Sequence, residues 1–211
     1  MKQKGKLIIL SGFAGSGKGT IVQSLLKDHG DEYALSVSAT TRSPRPGEKD
    51  GEHYFFLTKE QFEDMIQKDA FLEYAQYVNN YYGTPRHYVE EQLNSGKNVI
   101  LEIEIQGALQ VKKRFEDALL LFVTPPSAKI LEERLRGRGT ETEEVILSRM
   151  KRAHEEAEGC EVYDYLIIND DLDACIDRVH QIIQCENCKM KNNLAVIDQI
   201  KKDLTIFAKG E

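Results

Sequence analysis

The chain has 211 residues, enough to bury one sizeable hydrophobic core. It carries 28 Lys and Arg against 35 Asp and Glu, and the resulting charge of −7 argues against a surface that binds nucleic acid. Because no apolar run is as long as a membrane span and the N-terminus lacks the apolar core of a signal peptide, we expect a cytoplasmic protein without a membrane partner.

The first predicted elements are a short buried strand at Leu7–Leu10, a glycine-rich loop from Gly12 to Thr20, and a helix to about Lys27. Glycines let the backbone turn sharply and approach oxyanions, and the N–H groups at a helix start point at such anions. Lys18 adds a positive charge for the outer phosphates of a nucleoside triphosphate. This order predicts a phosphate-binding loop; the alternative is a tight turn whose glycines serve packing alone.

One position departs from the usual form of this loop. A Ser or Thr normally follows the lysine, and its hydroxyl contacts Mg²⁺. Here Gly19 takes that place and Thr20 comes one residue later. We assign the metal contact to Thr20, with Ser16 as the alternative.

The segment from Ala34 to Thr84 is predicted to be a small, mostly β insertion. Its expected elements are strands at Ala34–Ser38, His53–Leu57 and Phe71–Val78, a loop at Thr40–Glu52, and a turn at Asn79-Asn80. Thr58 and Gln61 predict a capping box for a helix that ends near Lys68.

The rest of the chain alternates between helices and buried strands. We expect strands at Val99–Leu101, Leu119–Val123 and Tyr165–Ile168, and helices at Pro85–Gly96, Gln106–Phe115, Ser127–Leu135, Thr140–Glu158 and Asn193–Phe207. A further helix ends near Gln184 and is capped by Asp170 or Asp171, and Ser127 is the expected cap of its own helix. Thr140 and Glu143 predict a second capping box. This alternation implies an α/β fold, an open parallel sheet with helices on both faces. Ligands of such sheets bind at the carboxyl ends of the strands, where Glu102, Glu104 and Asn169 fall.

Arg42 and Arg45 lie in the Pro/Gly-rich loop of the insertion, where pairing along a helix cannot explain them. Two guanidinium groups three residues apart can hold a phosphate dianion. The alternative is a solvated loop whose charges serve solubility. Tyr54 and Tyr82 add phenol groups to the same insertion, with filling of the β-sheet as the competing interpretation of Tyr54.

Glu73 interrupts an apolar strand and Glu104 lies just past another. Buried carboxylates are costly unless they are paired. A guanine edge offers N–H donors that a carboxylate accepts, whereas an adenine edge presents a lone pair. The alternative is a pair of structural salt bridges with nearby arginines.

A basic segment surrounds the turn Arg136–Gly139. Arg134 and Arg138 lie in or before it, and Arg149 and Arg152 follow on the next helix. Arginines that close over a phosphoryl group stabilise its charge during transfer. Some of them must instead pair along an exposed helix, and Arg136 and Arg152 are the ones expected to be surface charges.

Cys185 and Cys188 have the spacing of a zinc knuckle or a redox pair. A zinc site needs two more ligands, and no second paired motif is present in the sequence. A redox pair should open a helix after a strand, whereas this one follows a helix. We therefore expect inert thiols.

Together these motifs resemble a bacterial guanylate kinase, a P-loop nucleoside monophosphate kinase. The matching stretches are SGFAGSGKGT, SVSATTRSPRPGEKDGEHYFF, FLEYAQYVNNYYGTPR, VILEIEIQGALQVKK, LEERLRGRGTETEEVILSRMKRA and DYLIINDDLD. The resemblance implies a kinase domain at 1–190 (core 1–33, 85–125 and 160–190; GMP-binding insertion 34–84; helical lid 126–159) and a helical extension at 191–211. The role of that extension stays open, and a homo-oligomer is one of the states that the resemblance allows.

The resemblance also implies the roles of individual residues in phosphorylating GMP, and dGMP, with ATP and Mg²⁺. ATP would be bound by Gly12, Phe13, Ala14, Gly15, Ser16, Gly17, Lys18, Gly19, Thr20, Arg134 and Asn169, with Asn169 facing the adenine. GMP would be bound by Ser38, Arg42, Arg45, Tyr54, Glu73, Tyr82, Thr84 and Glu104. The catalytic charges would be Lys18, Arg42, Arg138 and Arg149, and Glu102 would be an indirect ligand of Mg²⁺.

Two other functions compete with this one. A catalytically dead relative that binds protein ligands should have a degraded phosphate loop, whereas this chain keeps Lys18. A kinase for another phosphorylated acceptor, such as a ribose phosphate, would have no reason to keep Ser38, Glu73 and Glu104 together.

Overall fold

The computed structural model describes residues 4–77, 79–137, 139 and 142–208, with the backbone alone at 77 and 208. Within them the strands are β1 Leu7–Gly12, β2 Tyr33–Leu35, β3 Ala39–Thr40, β4 Phe55–Phe56, β5 Phe71–Tyr77, β6 Asn80–Pro85, β7 Asn98–Leu101, β8 Leu119–Thr124 and β9 Tyr165–Ile168. The α-helices are α1 Lys18–Asp28, α2 Lys59–Gln67, α3 Arg86–Asn94, α4 Ile105–Arg114, α5 Ala128–Arg136, α6 Glu143–Ala157, α7 Leu172–Asn187 and α8 Leu194–Ala208.

The larger sheet is parallel throughout, in the order β2-β7-β1-β8-β9. Successive side chains of β1 point to opposite faces. Ile8 and Leu10 pack in the hydrophobic cluster that includes α1 and α7, whereas Leu7 and Ile9 pack in the one that includes α3 and α4. The predicted open parallel sheet with helices on both faces is confirmed, and burial on both faces explains why its strands read as continuous apolar runs.

A smaller sheet, in the order β4-β3-β6-β5, forms the body of the insertion. Here β6 is antiparallel to both β3 and β5. Ala39, Phe62 and Phe71 are its buried core, and the Phe62 ring stacks on that of Phe71 at a centroid distance of 4.3 Å. The insertion therefore has a hydrophobic core of its own, separate from that of the larger sheet, and α2 contributes Phe62 to it.

The helices α5 and α6 form a third packed unit beside the phosphate loop. Leu131 and Leu135 of α5 pack against Ile146 and Ala153 of α6, with Phe13 of the loop at the edge of the cluster. Helices α5 and α6 therefore contact the glycine-rich loop through apolar side chains.

Three strands differ from the predictions. Strand β3, Ala39–Thr40, lies where the expected loop Thr40–Glu52 begins, and it pairs with β4 and β6. The strand expected at Ala34–Ser38 lies at Tyr33–Leu35, where it pairs with β7 in the larger sheet instead of lying in the insertion. The strand Asn80–Pro85 was missed, because Asn-Asn predicted a turn and proline predicted a helix start. Strand β2 depends on a distant partner, β7, whereas β6 pairs both with β5, which directly precedes it in the chain, and with the more distant β3.

Three of the four predicted helix caps are confirmed. Thr58 and Gln61 form the expected capping box, and Ser127 and Asp171 cap their helices with side-chain oxygens. The box at Thr140 and Glu143 is wrong: Thr140 lies outside the described residues, and α6 begins at Glu143 with Thr142 as its N-cap residue.

The C-terminal helix α8 forms as predicted, and it packs on the 3-10 turn Met190–Asn192. Its apolar side chains include Ile200, Leu204 and Phe207, which are exposed. None of the helices in the described ranges is long and apolar enough to cross a membrane.

Candidate active site

The glycine-rich loop joins β1 to α1 at the carboxyl end of the sheet. Gly12, Gly15 and Gly17 have φ angles of 145°, 90° and 95°, a region that favours glycine. A Cβ atom at Gly12 would lie 2.0 Å from the carbonyl oxygen of Val123, and one at Gly17 would lie 2.4 Å from Nδ2 of Asn169. The glycines are therefore needed for both backbone conformation and space.

Lys18 is the first residue of α1 and its side chain folds back over the loop. Its Nζ donates to the carbonyl oxygens of Gly12 and Phe13, at 2.7 and 3.1 Å. The ammonium group is thus held at the mouth of the loop, where a triphosphate would lie against the N–H groups of a helix start.

Two side chains brace the loop from behind. The Asn169 side chain is buried and its Nδ2 donates to the carbonyl oxygen of Ser16 at 2.8 Å. Arg134 of α5 donates through Nη2 to the Asn169 carbonyl oxygen, also at 2.8 Å. The structure thus uses the Asn169 amide to hold the loop in place, whereas the sequence-based role was contact with an adenine.

A cleft of about 840 Å³ opens beside the loop, between the large sheet, the insertion and α6. The predicted site residues that line it are Gly12, Ala14, Lys18, Ser38, Tyr54, Glu104 and Arg149, and Glu102 joins them. The lining residues that sequence reasoning missed include Ser36, His53, Glu144, Ser148 and Glu156. Ser36, His53, Glu144 and Ser148 lie within the stretches that resemble guanylate kinases, but no role was assigned to them, and Glu156 lies outside those stretches. They come together only because α6 and the insertion both approach the edge of the large sheet.

The Arg42 guanidinium is held by a carboxylate. Its two terminal nitrogens donate to Oε2 and Oε1 of Glu48 at 2.7 and 2.9 Å, and the backbone N–H of Arg45 donates to the same Oε2 at 2.6 Å. These hydrogen bonds hold the pKa of the Glu48 carboxyl at about 2, so it is ionised at neutral pH. The guanidinium lies 5.2 Å from the centre of the Tyr54 ring, which in turn meets the Tyr82 ring edge-on.

Glu73 is a buried carboxylate, with only 7% of its surface exposed. Its Oε1 accepts a 2.6 Å hydrogen bond from the Thr84 hydroxyl across β5 and β6, and its Oε2 lies against α4, where a Cβ at Gly107 would be 2.9 Å away. Burial raises the pKa of this carboxyl, and the charge of Glu104 raises it further. No ion pair of Glu73 occurs among the described residues, so the alternative of a structural salt bridge fails here. Gly107, which allows the close approach, was visible in sequence only as a glycine within a helical pattern.

Glu104 is the N-cap residue of α4 and forms an ion pair with Arg152 of α6, which is the salt bridge that the alternative interpretation predicted for it. A terminal nitrogen of Arg152 donates to its Oε2, while Nε of Arg152 lies 3.2 Å from Glu156. Arg152 was expected to be a surface charge; this is wrong, because α6 turns that face of the helix toward the cleft. Arg136 does pair on the surface, with Glu132 and Glu143.

The comparisons with known proteins agree with this geometry. The guanylate kinase family model matches residues 4–186. The chain belongs to the guanylate kinase family. The guanylate kinase of Halalkalibacterium halodurans is 52% identical over 94% of this chain and 97% of its own length, and that of Latilactobacillus sakei is 47% identical over 96% and 98%. The crystal structure of the Anaplasma phagocytophilum guanylate kinase superposes with a TM-score of 0.71 at 33% identity, covering 90% of this chain and 89% of that one.

The guanylate kinase family implies Mg²⁺ bound with ATP, and two oxygen donors at the loop fit it. Glu102 lines the cleft, and its Oε2 lies 3.9 Å from a Cβ built at Gly19. Desolvation raises the pKa of the Glu102 carboxyl, against the opposing charge of Lys18. The Ser16 hydroxyl is buried, with no hydrogen-bond partner in the part of the chain that the structure describes. Thr20, the predicted metal contact, is exposed and is not among the lining residues, since it lies one helical step away from the mouth of the loop.

The structure describes only some of the arginines that the sequence analysis assigned to a lid. Arg149 of α6 lines the cleft, whereas Arg138 lies outside the described residues.

The four cysteines are free thiols; α7 runs through Cys185 and ends at Asn187, with Cys188 as its C-cap residue.

Proposed function

We propose that this chain transfers the γ-phosphoryl group of ATP to GMP, giving GDP and ADP, in purine nucleotide metabolism and the recycling of GMP, and that dGMP is also accepted. Membership of the guanylate kinase family supports the reaction. The observation that carries the choice of acceptor is Glu73: a buried carboxylate with a hydroxyl partner but no described ion-pair partner is suited to accept N–H groups from a ligand.

The transfer needs no side-chain base. A phosphate oxygen of GMP is already ionised near neutral pH; it attacks the γ-phosphorus of ATP, and the bond to the β–γ bridging oxygen breaks. The electron pair stays on the departing ADP. Catalysis then consists of positioning both nucleotides and stabilising the charge on the transferred group.

We assign the donor side to the loop Gly12–Thr20. Its N–H groups and Lys18 would hold the phosphates, with Arg134 and Asn169 supporting the loop from behind. Mg²⁺, which neutralises phosphate charge when bound, would be held by Glu102 and Ser16 together with the nucleotide.

We assign the acceptor side to the insertion and α4. Arg42, Arg45, Tyr54 and Tyr82 would bind the GMP phosphate, with Glu48 holding the Arg42 guanidinium in position. The guanine would be read by Ser38, Glu73, Thr84 and Glu104.

The lid, residues 126–159, would bring Arg149 and Arg138 to the transferred phosphoryl group. The core would comprise 1–33, 85–125 and 160–190 together with Ala34 and Leu35, which pair with β7 although the sequence placed them in the insertion (34–84). Closure of the lid and the insertion over this core would exclude water, which prevents wasteful hydrolysis of ATP. Free thiols suit a reducing compartment, so we place the reaction in the cytoplasm.

The deciding experiment offers GMP, dGMP, AMP, UMP and CMP in turn with Mg-ATP and follows ADP by a coupled assay. We expect turnover with GMP and dGMP that exceeds turnover with the other nucleotides by several orders of magnitude. Turnover with AMP at a comparable rate would reject the guanine-reading role. Absence of turnover with every acceptor, in a protein that still binds GMP, would indicate a binding module.

A further inference from the structure

Three side chains that could bind a metal ion lie together where the end of α1 meets α7. His29 is the C-cap residue of α1, Glu32 follows in the next turn, and His180 belongs to α7. One ligand atom from each of the three lies within 4.8 Å of the others, and Nδ1 of His29 is 3.7 Å from Oε1 of Glu32. None of these residues lines the cleft described above.

Two further side chains already orient these ligands. The Tyr33 hydroxyl lies 2.8 Å from Nδ1 of His180, and Nε2 of Gln184 donates to Oε2 of Glu32 at 2.7 Å. The Tyr33 side chain is buried, which fixes the position of its hydroxyl beside His180. In the tautomer in which Nδ1–H of His180 donates a hydrogen bond to the Tyr33 hydroxyl, Nε2 carries the lone pair that can bind a metal. Such an outer hydrogen bond is typical of metal-binding histidines.

We propose that His29, Glu32 and His180 form a binding site for a divalent transition-metal ion, with Zn²⁺ as the best match. Two imidazoles and a carboxylate are a ligand set that Zn²⁺ accepts, with water in the remaining position. The rings of His29 and His180 are stacked, with centroids 4.0 Å apart and planes within 8°, so binding requires His29 to turn out of the stack. Its side chain is 35% exposed and stands at a helix end, which leaves room for that rotation.

The competing interpretation is aromatic packing alone, because the Tyr33 ring also meets both imidazoles. The two interpretations differ in a measurable way. Packing stabilises the protein equally with and without metal, whereas a metal site adds stability that depends on the free metal concentration.

The test uses the full chain with Cys185→Ser and Cys188→Ser, because these exposed thiols are a rival site for zinc. Thermal unfolding is measured in EDTA and in rising ZnCl₂, Zn²⁺ binding is measured by calorimetry, and Co²⁺ is added as a spectroscopic probe. At a metal concentration roughly 100 times the Kd we expect the Tm to rise by about 5 to 10 °C. Co²⁺ should give a visible absorption band of a four- or five-coordinate site.

Four variants locate the site. His29→Gln and His180→Gln should each abolish the metal-dependent rise in Tm, and Tyr33→Phe should weaken Zn²⁺ binding about 10- to 100-fold. Glu32→Gln removes a ligand but leaves the three rings in place, so it separates metal binding from packing. The control is His87→Gln, an exposed histidine on α3, which should change nothing.

The proposal is overturned if Zn²⁺ leaves the Tm unchanged and Co²⁺ gives no band. It is equally overturned if binding survives in His29→Gln, His180→Gln and Glu32→Gln. Both outcomes are independent of kinase activity, which we expect to be the same in all these variants when GMP and ATP are supplied.

Discussion

At the scale of single residues, the two ends of the cleft use charge in opposite ways. The Lys18 ammonium group, which we assign to the donor side, donates to two backbone carbonyl oxygens of the glycine-rich loop. Glu73, which we assign to the acceptor side, is a carboxylate held in a buried position against the free-energy cost of desolvation.

Lys18→Ala should lower kcat by about 100- to 1,000-fold, because it removes a charge directed at the transferred phosphoryl group. The measurement is the steady-state rate with saturating GMP and ATP. Lys27→Ala, an exposed lysine in the last turn of the same helix, is the control. Near-normal turnover of Lys18→Ala would reject the assigned role.

Glu73→Gln should weaken GMP binding by about 1–3 kcal/mol, or roughly 5- to 150-fold, because the amide presents a donor to the N–H groups of guanine. The Kd for ATP should stay the same. Calorimetric titration of each nucleotide measures both effects, and equal losses for GMP and ATP would contradict the guanine-reading role.

The same substitution should make the folded protein more stable near neutral pH. Burial raises the pKa of the Glu73 carboxyl. A carboxyl whose pKa is higher in the folded than in the unfolded state contributes stability below its unfolded pKa, about 4.3, and loses it as the pH rises through the folded pKa. The Tm of Glu73→Gln should therefore exceed that of the wild type near pH 7, and the difference should shrink as the pH falls toward about 4.3. A Tm difference that is independent of pH would show that Glu73 is ionised without penalty.

At the scale of elements, the acceptor side depends on how closely β5 approaches α4. Gly107 lies in the first turn of α4 and is buried against the Glu73 carboxylate. Glycine weakens a helix by up to about 1 kcal/mol relative to alanine, so its presence here has a packing reason.

Gly107→Ala should raise the KM for GMP several-fold without changing the KM for ATP, because the new Cβ would meet Oε2 of Glu73 at 2.9 Å and displace it. The exposed neighbour Gln106→Ala on the same helix is the matched control. Steady-state kinetics with each nucleotide varied in turn give both KM values. An unchanged KM for GMP would mean that the position of Oε2 does not affect binding.

At the scale of the whole molecule, three packed units surround the cleft and one helix stands apart. The large sheet, the insertion and the α5–α6 pair each have a core of their own. Helix α8 instead packs on the turn that precedes it and leaves much of its apolar surface exposed.

Removal of residues 194–211 should therefore leave kcat, both KM values and the Tm close to those of the full chain. Circular dichroism melts and the coupled assay measure these quantities. A large loss of stability would show that α8 covers part of the core in solution, in a position other than the one described.

The sequence alone determined the features that depend on neighbours along the chain. Glycines at positions of positive φ, a lysine at a helix start, capping residues such as Thr58 and the period of apolar residues are local, so the phosphate loop and most helices and strands were predictable. The assignment to the guanylate kinase family followed from the order of these local motifs, and the comparisons confirmed it.

The tertiary structure decided what depends on contacts between distant segments. It placed β2 beside β7, brought Arg152 of the lid to Glu104, set the Glu73 carboxylate against Gly107, and turned the Asn169 amide onto the loop. The chemical type of a side chain determines what it can bind, but packing between residues many positions apart determines which partner it meets. The stacking of His29 on His180 has the same origin, because only the packing of α1 against α7 brings the two imidazoles together.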